Sequence, residues 1–303
     1  MRASVLIPSY QSVATIRACL TSVCAQDLAE PFEVFVSDSG NDGTAAIVER
    51  EFPQVRLITS TERMDPALAR NRAAALATGT ILAFIDSDCV AQPDWLRRLC
   101  DAIEAGGYDG AGGAIVPVDD STDAAWAGYF TEFREFLPGG APRAATYLTI
   151  NNAAYRHDTF RRAGGFPVDY FPQEDQVFWE RLRALDARIC LDPSIVVKHN
   201  HRSETGAFLV HQVKIGVANA RVVLALRLQG YALASRPWLA ALALPALAPY
   251  RFARTAAICW RAERSILLRR PVIGVLCLAG MFAWGLGFVR GSRLAAQRPA
   301  ART

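Results

Sequence analysis

No two of the seven cysteines, at 19, 24, 89, 100, 190, 259 and 277, stand in a CxxC pair, and their number is odd. Neither a zinc ribbon nor a disulfide framework is indicated, and a reducing compartment is expected. The opening MRASVLIPSY lacks the apolar core of a signal peptide, because Pro8 interrupts it; it reads as a strand, and the front of the protein is expected in the cytoplasm. The tail has almost no negative charge: residues 236–303 carry eleven Arg against Glu263 alone, whereas residues 1–235 carry 22 Lys and Arg against 28 Asp and Glu. Pro271 to Val289 has no charge at all over 19 residues. Basic residues beside apolar runs favour an anionic membrane surface over nucleic acid, so no nucleic-acid partner is expected.

What is present begins with an ordinary globular composition. The 303 residues are 51% apolar and 20% charged, enough for one large α/β domain and something smaller. Short apolar runs recur at 4–8, 33–38, 55–60 and 81–88, and read as strands of a parallel sheet buried on both faces. Helical patterns lie between them at Ser12–Ala25, Thr44–Glu51, Pro66–Ala77 and Pro93–Ala105. This alternation predicts a doubly wound α/β sheet with right-handed crossovers. In such a sheet ligands bind outside the carboxyl ends of the strands. Pro8-Ser9-Tyr10, Ser37-Asp38-Ser39 and Asp86-Ser87-Asp88 all fall at those ends.

Asp86 and Asp88 raise a chemical question. Two carboxylates one residue apart after a buried strand raise each other's pKa unless a positive charge sits between them. A divalent cation is the simplest candidate. Asp38 alone could be a turn former or helix cap, but with Asp86 and Asp88 on the same edge it reads as part of a site.

Further on, the glycine-rich stretch 106–113 and the mixed stretch 116–147, with Pro138-Gly139-Gly140, suggest a mobile excursion, a lid or acceptor-side loop. TYLTINNAAYR (146–156) returns to strand character, and HDTFRRAGGFP makes a short helix and a Gly-Gly turn. The spacing of Val177, Phe178, Leu182 and Leu185 predicts a helix over 174–186. Glu174 and Asp175 in its first turn could simply complement the helix dipole. ARICLDPSIVVKHNH (187–201) reads as two short strands, with His199 and His201 at alternate positions on one side, within reach of a metal or a phosphate.

The set VLIPSY, VSDSGNDGT, ARN (69–71), FIDSD, GGF (164–166), QED (173–175) and the late His resembles the inverting nucleotide-sugar glycosyltransferases of family 2, over roughly Arg2 to His201. The resemblance implies a single nucleotide-sugar-binding Rossmann-like α/β domain of the glycosyltransferase A type. It also implies a role for each matching residue. Asp86-Ser87-Asp88 would be the DxD motif, with Asp88 the direct ligand of Mg²⁺ or Mn²⁺ and Asp86 on the nucleotide side. His199 would join the metal. Asp38 would meet the nucleobase, Pro8 and Tyr10 would flank the nucleotide, and Arg70 would face it. Asp175 would be the general base, with Gly165 and Glu174 on the acceptor side. Where the family often shows two adjacent aspartates this chain has Ser37-Asp38, which leaves the nucleobase open. The QxxRW element of processive synthases is absent after Asp175, so transfer of a single sugar is expected.

The chemistry suits these residue types. A hard divalent cation held by one or two carboxylates stabilises a diphosphate leaving group. An inverting transfer needs a base to take the acceptor hydroxyl's proton. A sugar nucleotidyltransferase would want a glycine-rich loop after the first strand, and SYQSVAT has no glycine. A catalytically inactive scaffold of the same fold is the other alternative.

The tail continues with apolar and basic residues at helical spacing over 206–227, as a core helix or an interfacial one. PWLAALALPALAPY (237–250) is short and broken by Pro245 and Pro249, which suggests an interfacial or re-entrant piece. The uncharged stretch 271–289 is a candidate span or shallow anchor. A hairpin of both would turn an Arg-rich loop outward, against the positive-inside rule. The expectation is a catalytic domain over 1–205, cytoplasmic, and a basic, apolar, membrane-associated helical region over 206–303. Its membrane site suggests a lipid-linked glycan or glycolipid acceptor for a nucleotide-diphosphate sugar donor.

Overall fold

The computed structural model describes residues 1–118 and 121–297. The chain runs β1 (Ala3–Ser9), α1 (Ile16–Cys24), β2 (Phe32–Asp38), α2 (Thr44–Glu51), β3 (Arg56–Thr59), α3 (Pro66–Leu76), β4 (Ile81–Phe84), β5 (Cys89–Ala91), α4 (Trp95–Ala105), β6 (Gly110–Pro117) and α5 (Asp123–Phe133). It continues through β7 (Arg143–Ala144), β8 (Ala153–Arg156), α6 (His157–Arg162), α7 (Glu174–Ala184), β9 (Ile189–His199), α8 (Thr205–Leu226), α9 (Tyr231–Ala234), α10 (Pro237–Arg269) and α11 (Val272–Ala296). Two compact units result: Met1–Val116 with Phe136–His199, and Pro117–Glu135 with Asn200–Thr303.

The first unit is built on a sheet that has, among the described residues, nine strands in the order β3-β2-β1-β4-β8-β6-β9-β5, with β7 paired to β9. β1 to β4 pair in parallel, as expected; every residue of β1 and β4 is buried, whereas no residue of the edge strand β3 is, against the expectation of burial on both faces. The strand order reverses at β1, so β1 and β4 flank a topological switch point, where such sheets bind ligands. The remaining half differs from an all-parallel sheet: β8 runs antiparallel to β4 and to β6, and β9 antiparallel to β5 and β7.

Three local expectations are revised. The glycine-rich stretch holds a strand, because at Gly112 and Gly113 the neighbouring backbones of Asn152 and Ile195 come too close for any Cβ. The expected excursion over 116–147 contains helix α5, with Tyr129 and Phe130 fully buried; Asp119 and Asp120 of that stretch lie outside the described residues. The helix starts where the Thr122 hydroxyl accepts the Ala125 N–H. Finally, 189–199 is one strand despite Pro193, and it ends at His199, so the alternation does not extend to His201.

The second unit is helical. α8 and α11 approach at glycine: a Cβ at Gly216 would lie 2.0 Å from the Trp284 carbonyl oxygen, and one at Gly287 would lie 2.1 Å from that of Val213. Ala220, Val223, Trp284 and Phe288 fill the layer between them. α10 runs through Pro245 and Pro249 with its one non-helical residue at Glu263, so the prolines do not end it. α8 and α11 are long and apolar enough to cross a membrane by length and composition. His201 packs its ring against Tyr129 and Phe133, at 5.8 and 5.4 Å between centroids.

Candidate active site

The loops after β1, β2 and β4 are tied to one another. The Ser9 hydroxyl donates to Asp38 Oδ1 at 2.7 Å, the Val13 N–H donates to Asp42 Oδ2, and the Ser12 and Ser87 hydroxyls lie 2.8 Å apart. Asp38 is buried at the end of β2, and Pro8 is buried in β1. Tyr10 is exposed, with the Arg63 guanidinium 4.4 Å above its ring. That flat aromatic surface beside a cation is suited to a planar, anionic ligand.

Asp86 follows β4. Its backbone oxygen accepts the Cys89 N–H, which turns the chain from β4 into β5 and leaves the carboxylates of Asp86 and Asp88 at the strand end. Arg70 on α3 is 2% exposed and makes the central contact of the site. One terminal nitrogen donates to Asp86 Oδ1 at 2.5 Å and the other to Glu174 Oε1 at 3.0 Å. A guanidinium serves this purpose because its rigid fork offers donors in two directions. Glu174 is buried, and burial pushes its carboxyl above the usual range even beside Arg70.

Asp175, next along the first turn of α7, keeps some contact with solvent. Burial of its carboxyl, and then the charge of Glu174, push its pKa up to about 7, while the Gln176 N–H donates to Oδ1 at 2.8 Å and opposes the shift. A carboxyl that titrates near neutrality beside a fixed carboxylate is poised for proton transfer. His199 at the end of β9 is buried with Nε2 3.6 Å from Asp88 Oδ1. Asp86, Arg70, Glu174 and the adjacent Asp175 thus form one group, and Asp88, two positions beyond Asp86, forms another with His199. His201 contacts the aromatic rings of its own unit instead.

Asn71 is a site residue that the sequence signalled only as the last letter of ARN. Its side chain donates to the Phe166 carbonyl at 2.7 Å and accepts the Phe166 N–H at 2.9 Å, locking the Gly164-Gly165-Phe166 turn. Gly165 has φ +66°, and a Cβ there would lie 2.8 Å from Asn71 Oδ1. Glycine is required on both counts. Asn152 was likewise not anticipated: it accepts from Trp95 Nε1 and donates to the carbonyls of Ala114 and Ile195, joining α4, β6 and β9 behind the site.

This edge, with carboxylates at the ends of β2 and β4 and the Ser9 hydroxyl at the end of β1 in a mixed α/β sheet, defines a glycosyltransferase A-type fold. The chain belongs to glycosyl transferase family 2, whose profile matches residues 4–165. It is similar to glycosyltransferase AglE of Haloferax volcanii, 28% identical over 179 residues, covering 57% of this chain and 53% of the relative. It is also similar to the glucosyl-dolichyl phosphate glucuronosyltransferase of the same organism, 27% identical and covering 63% of each. The chain therefore spans about half to under two thirds of the length of these relatives. Among solved structures the mannosyltransferase PcManGT of Pyrobaculum calidifontis, in complex with GDP-Man and Mn²⁺, shares the fold with a TM-score of 0.64 at 21% identity, over 95% of this chain and 86% of that one.

Proposed function

We propose that this glycosyltransferase moves a single sugar from a nucleotide-diphosphate sugar to an acceptor hydroxyl with inversion, in a metal-dependent reaction. The observation that carries the reading is the buried bridge from Asp86 through Arg70 to Glu174, which fixes the neighbouring Asp175, with its pKa near 7, against the DxD end of the sheet. Asp38, Pro8 and Tyr10 receive the nucleotide, and Asp86 lies on its diphosphate side. For Arg70, enclosed between two carboxylates, the role is to position Asp86 and Glu174. Gly165 and Glu174 shape the acceptor side.

Asp175 takes the proton of the acceptor hydroxyl. The hydroxyl oxygen bonds to the anomeric carbon as the bond from that carbon to the diphosphate oxygen breaks, and its electron pair leaves with the diphosphate. The Asp88 carboxylate, with water and beside His199, suits Mg²⁺ or Mn²⁺, which would offset the charge developing on the diphosphate. The Mn²⁺ and GDP-Man in PcManGT support this reading by analogy of fold.

The acceptor we infer is a lipid-linked glycan or glycolipid. One relative is named for glucosyl-dolichyl phosphate, and two helices of this chain are long and apolar enough to meet a membrane. On this reading residues 1–205 are catalytic and cytoplasmic, and 206–303 associate with the membrane.

The test is Asp175→Asn in detergent-solubilised protein. Loss of the base should lower kcat by ~10²–10⁴ with nucleotide affinity near normal. In wild type, kcat/KM should fall on the acid side of an apparent pKa near 7, because the base must be ionised to accept a proton, and that limb should vanish with residual Asp175→Asn activity. Transfer at the wild-type rate by the variant would refute the assignment.

A further inference from the structure

Cys89 follows the DxD motif directly. It opens β5, where it stands directly opposite His199 of β9 in the antiparallel pair. Opposed residues of such a pair direct their side chains to the same face. Both side chains are buried, with Cys89 at 0% exposure. The Cys89 thiol points to Asp88 Oδ1 at 3.8 Å, and His199 Nε2 lies 3.6 Å from the same oxygen. The three donor atoms all fall within 4.8 Å of one another.

These separations fit a metal polyhedron. Bonds of ~2.3 Å to sulfur and ~2.0–2.1 Å to nitrogen and oxygen, at tetrahedral angles, put donors about 3.3–3.6 Å apart. The set is therefore within a few tenths of an ångström of closing on one ion for two of its edges. Asp88 is partly open to solvent, so an ion has a way in and a fourth position can remain for water or ligand.

We propose that Asp88, Cys89 and His199 form an O, S, N site that binds borderline and soft divalent cations of the Zn²⁺ and Cd²⁺ class through the Cys89 sulfur. The idea rests on the metal position proposed above, and it adds a ligand that changes which metals the site holds. Carboxylate and water suit Mg²⁺ and Mn²⁺, whereas a thiolate selects Zn²⁺ and its heavier relative. On binding, the thiol proton passes to buffer and the sulfur–metal bond replaces the S–H bond. A zinc-class ion so held would compete with Mg²⁺ or Mn²⁺ for Asp88 and His199.

The test is titration of reduced, full-length protein in detergent with Cd²⁺, followed by thiolate-to-metal charge-transfer absorption. One equivalent per chain should give the band. Cys89→Ser should abolish it and weaken Cd²⁺ binding by about 10–100-fold, with Mn²⁺ affinity changed far less. Cys24→Ser, at the one cysteine that is not buried, should keep it. No band in wild type, or a band that survives Cys89→Ser, overturns the proposal. Should Cys89→Ser fail to fold by circular dichroism, the ¹¹³Cd resonance of wild type decides: a shift typical of a sulfur ligand upholds the site, and one in the range of purely oxygen and nitrogen ligands overturns it. A Mn²⁺-dependent transfer assay in parallel separates the two ideas, since transfer without the band refutes only the sulfur ligand, and the band without transfer under any metal refutes only the proposed reaction.

Discussion

The two compact units both bury polar side chains, and they do so differently. In the sheet unit the enclosed charge is Arg70, whose partners Asp86 and Glu174 lie 16 and 104 residues away in the chain and stand at the proposed site. In the helical unit Glu132 on α5 accepts a hydrogen bond from Gln212 on α8, with His211 Nε2 3.5 Å away, and the close approach of α8 to α11 is made by glycine. A buried ion pair is weak evidence for stability as such, because desolvation can offset its attraction. Its presence at the sheet edge and the reliance on small residues between helices suggest that charge is kept where orientation matters, and that packing suffices elsewhere.

The sharpest way to break this contrast is Arg70→Met. It keeps much of the volume and leaves Asp86 and Glu174 without their shared partner, so the sheet unit should lose about 3–5 kcal/mol, read by hydrogen exchange in α3 and α7. The loss should be larger at pH 8 than at pH 5.5, because burial already raises the Glu174 carboxyl and, without Arg70, it is more readily neutral at the lower pH. A loss under about 1 kcal/mol at both pH values would show that the bridge is replaceable and that Arg70 is not what orients α7.

The helical unit offers the next test. A glycine inside a helix normally gains up to about 1 kcal/mol when replaced by alanine. Gly274, with open space around its missing Cβ, should follow that rule. Gly216→Ala should do the opposite, with a net loss of about 1–2 kcal/mol in hydrogen exchange of α8 and α11, because the new methyl meets the backbone of Trp284, which cannot rotate away. Equal gains at both positions would mean that the helices separate without cost, and the contrast with the sheet unit would lose its second half.

The units also differed in how far they could be read from sequence. β1, β2 and β4 were legible because parallel strands covered on both faces are continuously apolar, and their polar ends announce themselves. The site's edge followed from the same pattern. Arg70's partners were not legible, because hydrogen bonds between residues 104 apart leave no local mark. Nor was α5: Ala127, Gly128 and Thr131 dilute its periodicity, and the nearby Pro138-Gly139-Gly140 resembles a loop. In α10 the rule that proline breaks a helix misled, since the chain carries Pro245 and Pro249 in helical conformation and breaks instead at Glu263, where α10 kinks. His201 fails for a related reason: two-residue alternation holds only while the strand lasts, and β9 ends at His199.

The smallest expected effect isolates burial from ion pairing. Arg254 of α10 donates to Glu135 Oε1 at 3.2 Å, nearly the separation of Arg70 from Glu174, but its side chain is 58% exposed against 3% for Arg70. Water then screens the charges in the folded state, and Glu135, 37% exposed, stays solvated once Arg254 is gone. Arg254→Ala should therefore change stability by less than about 1 kcal/mol, and addition of salt should shrink even that difference. A loss comparable to that of Arg70→Met would mean that geometry alone determines the strength of these pairs, and burial would no longer explain why the charge at the sheet edge matters more.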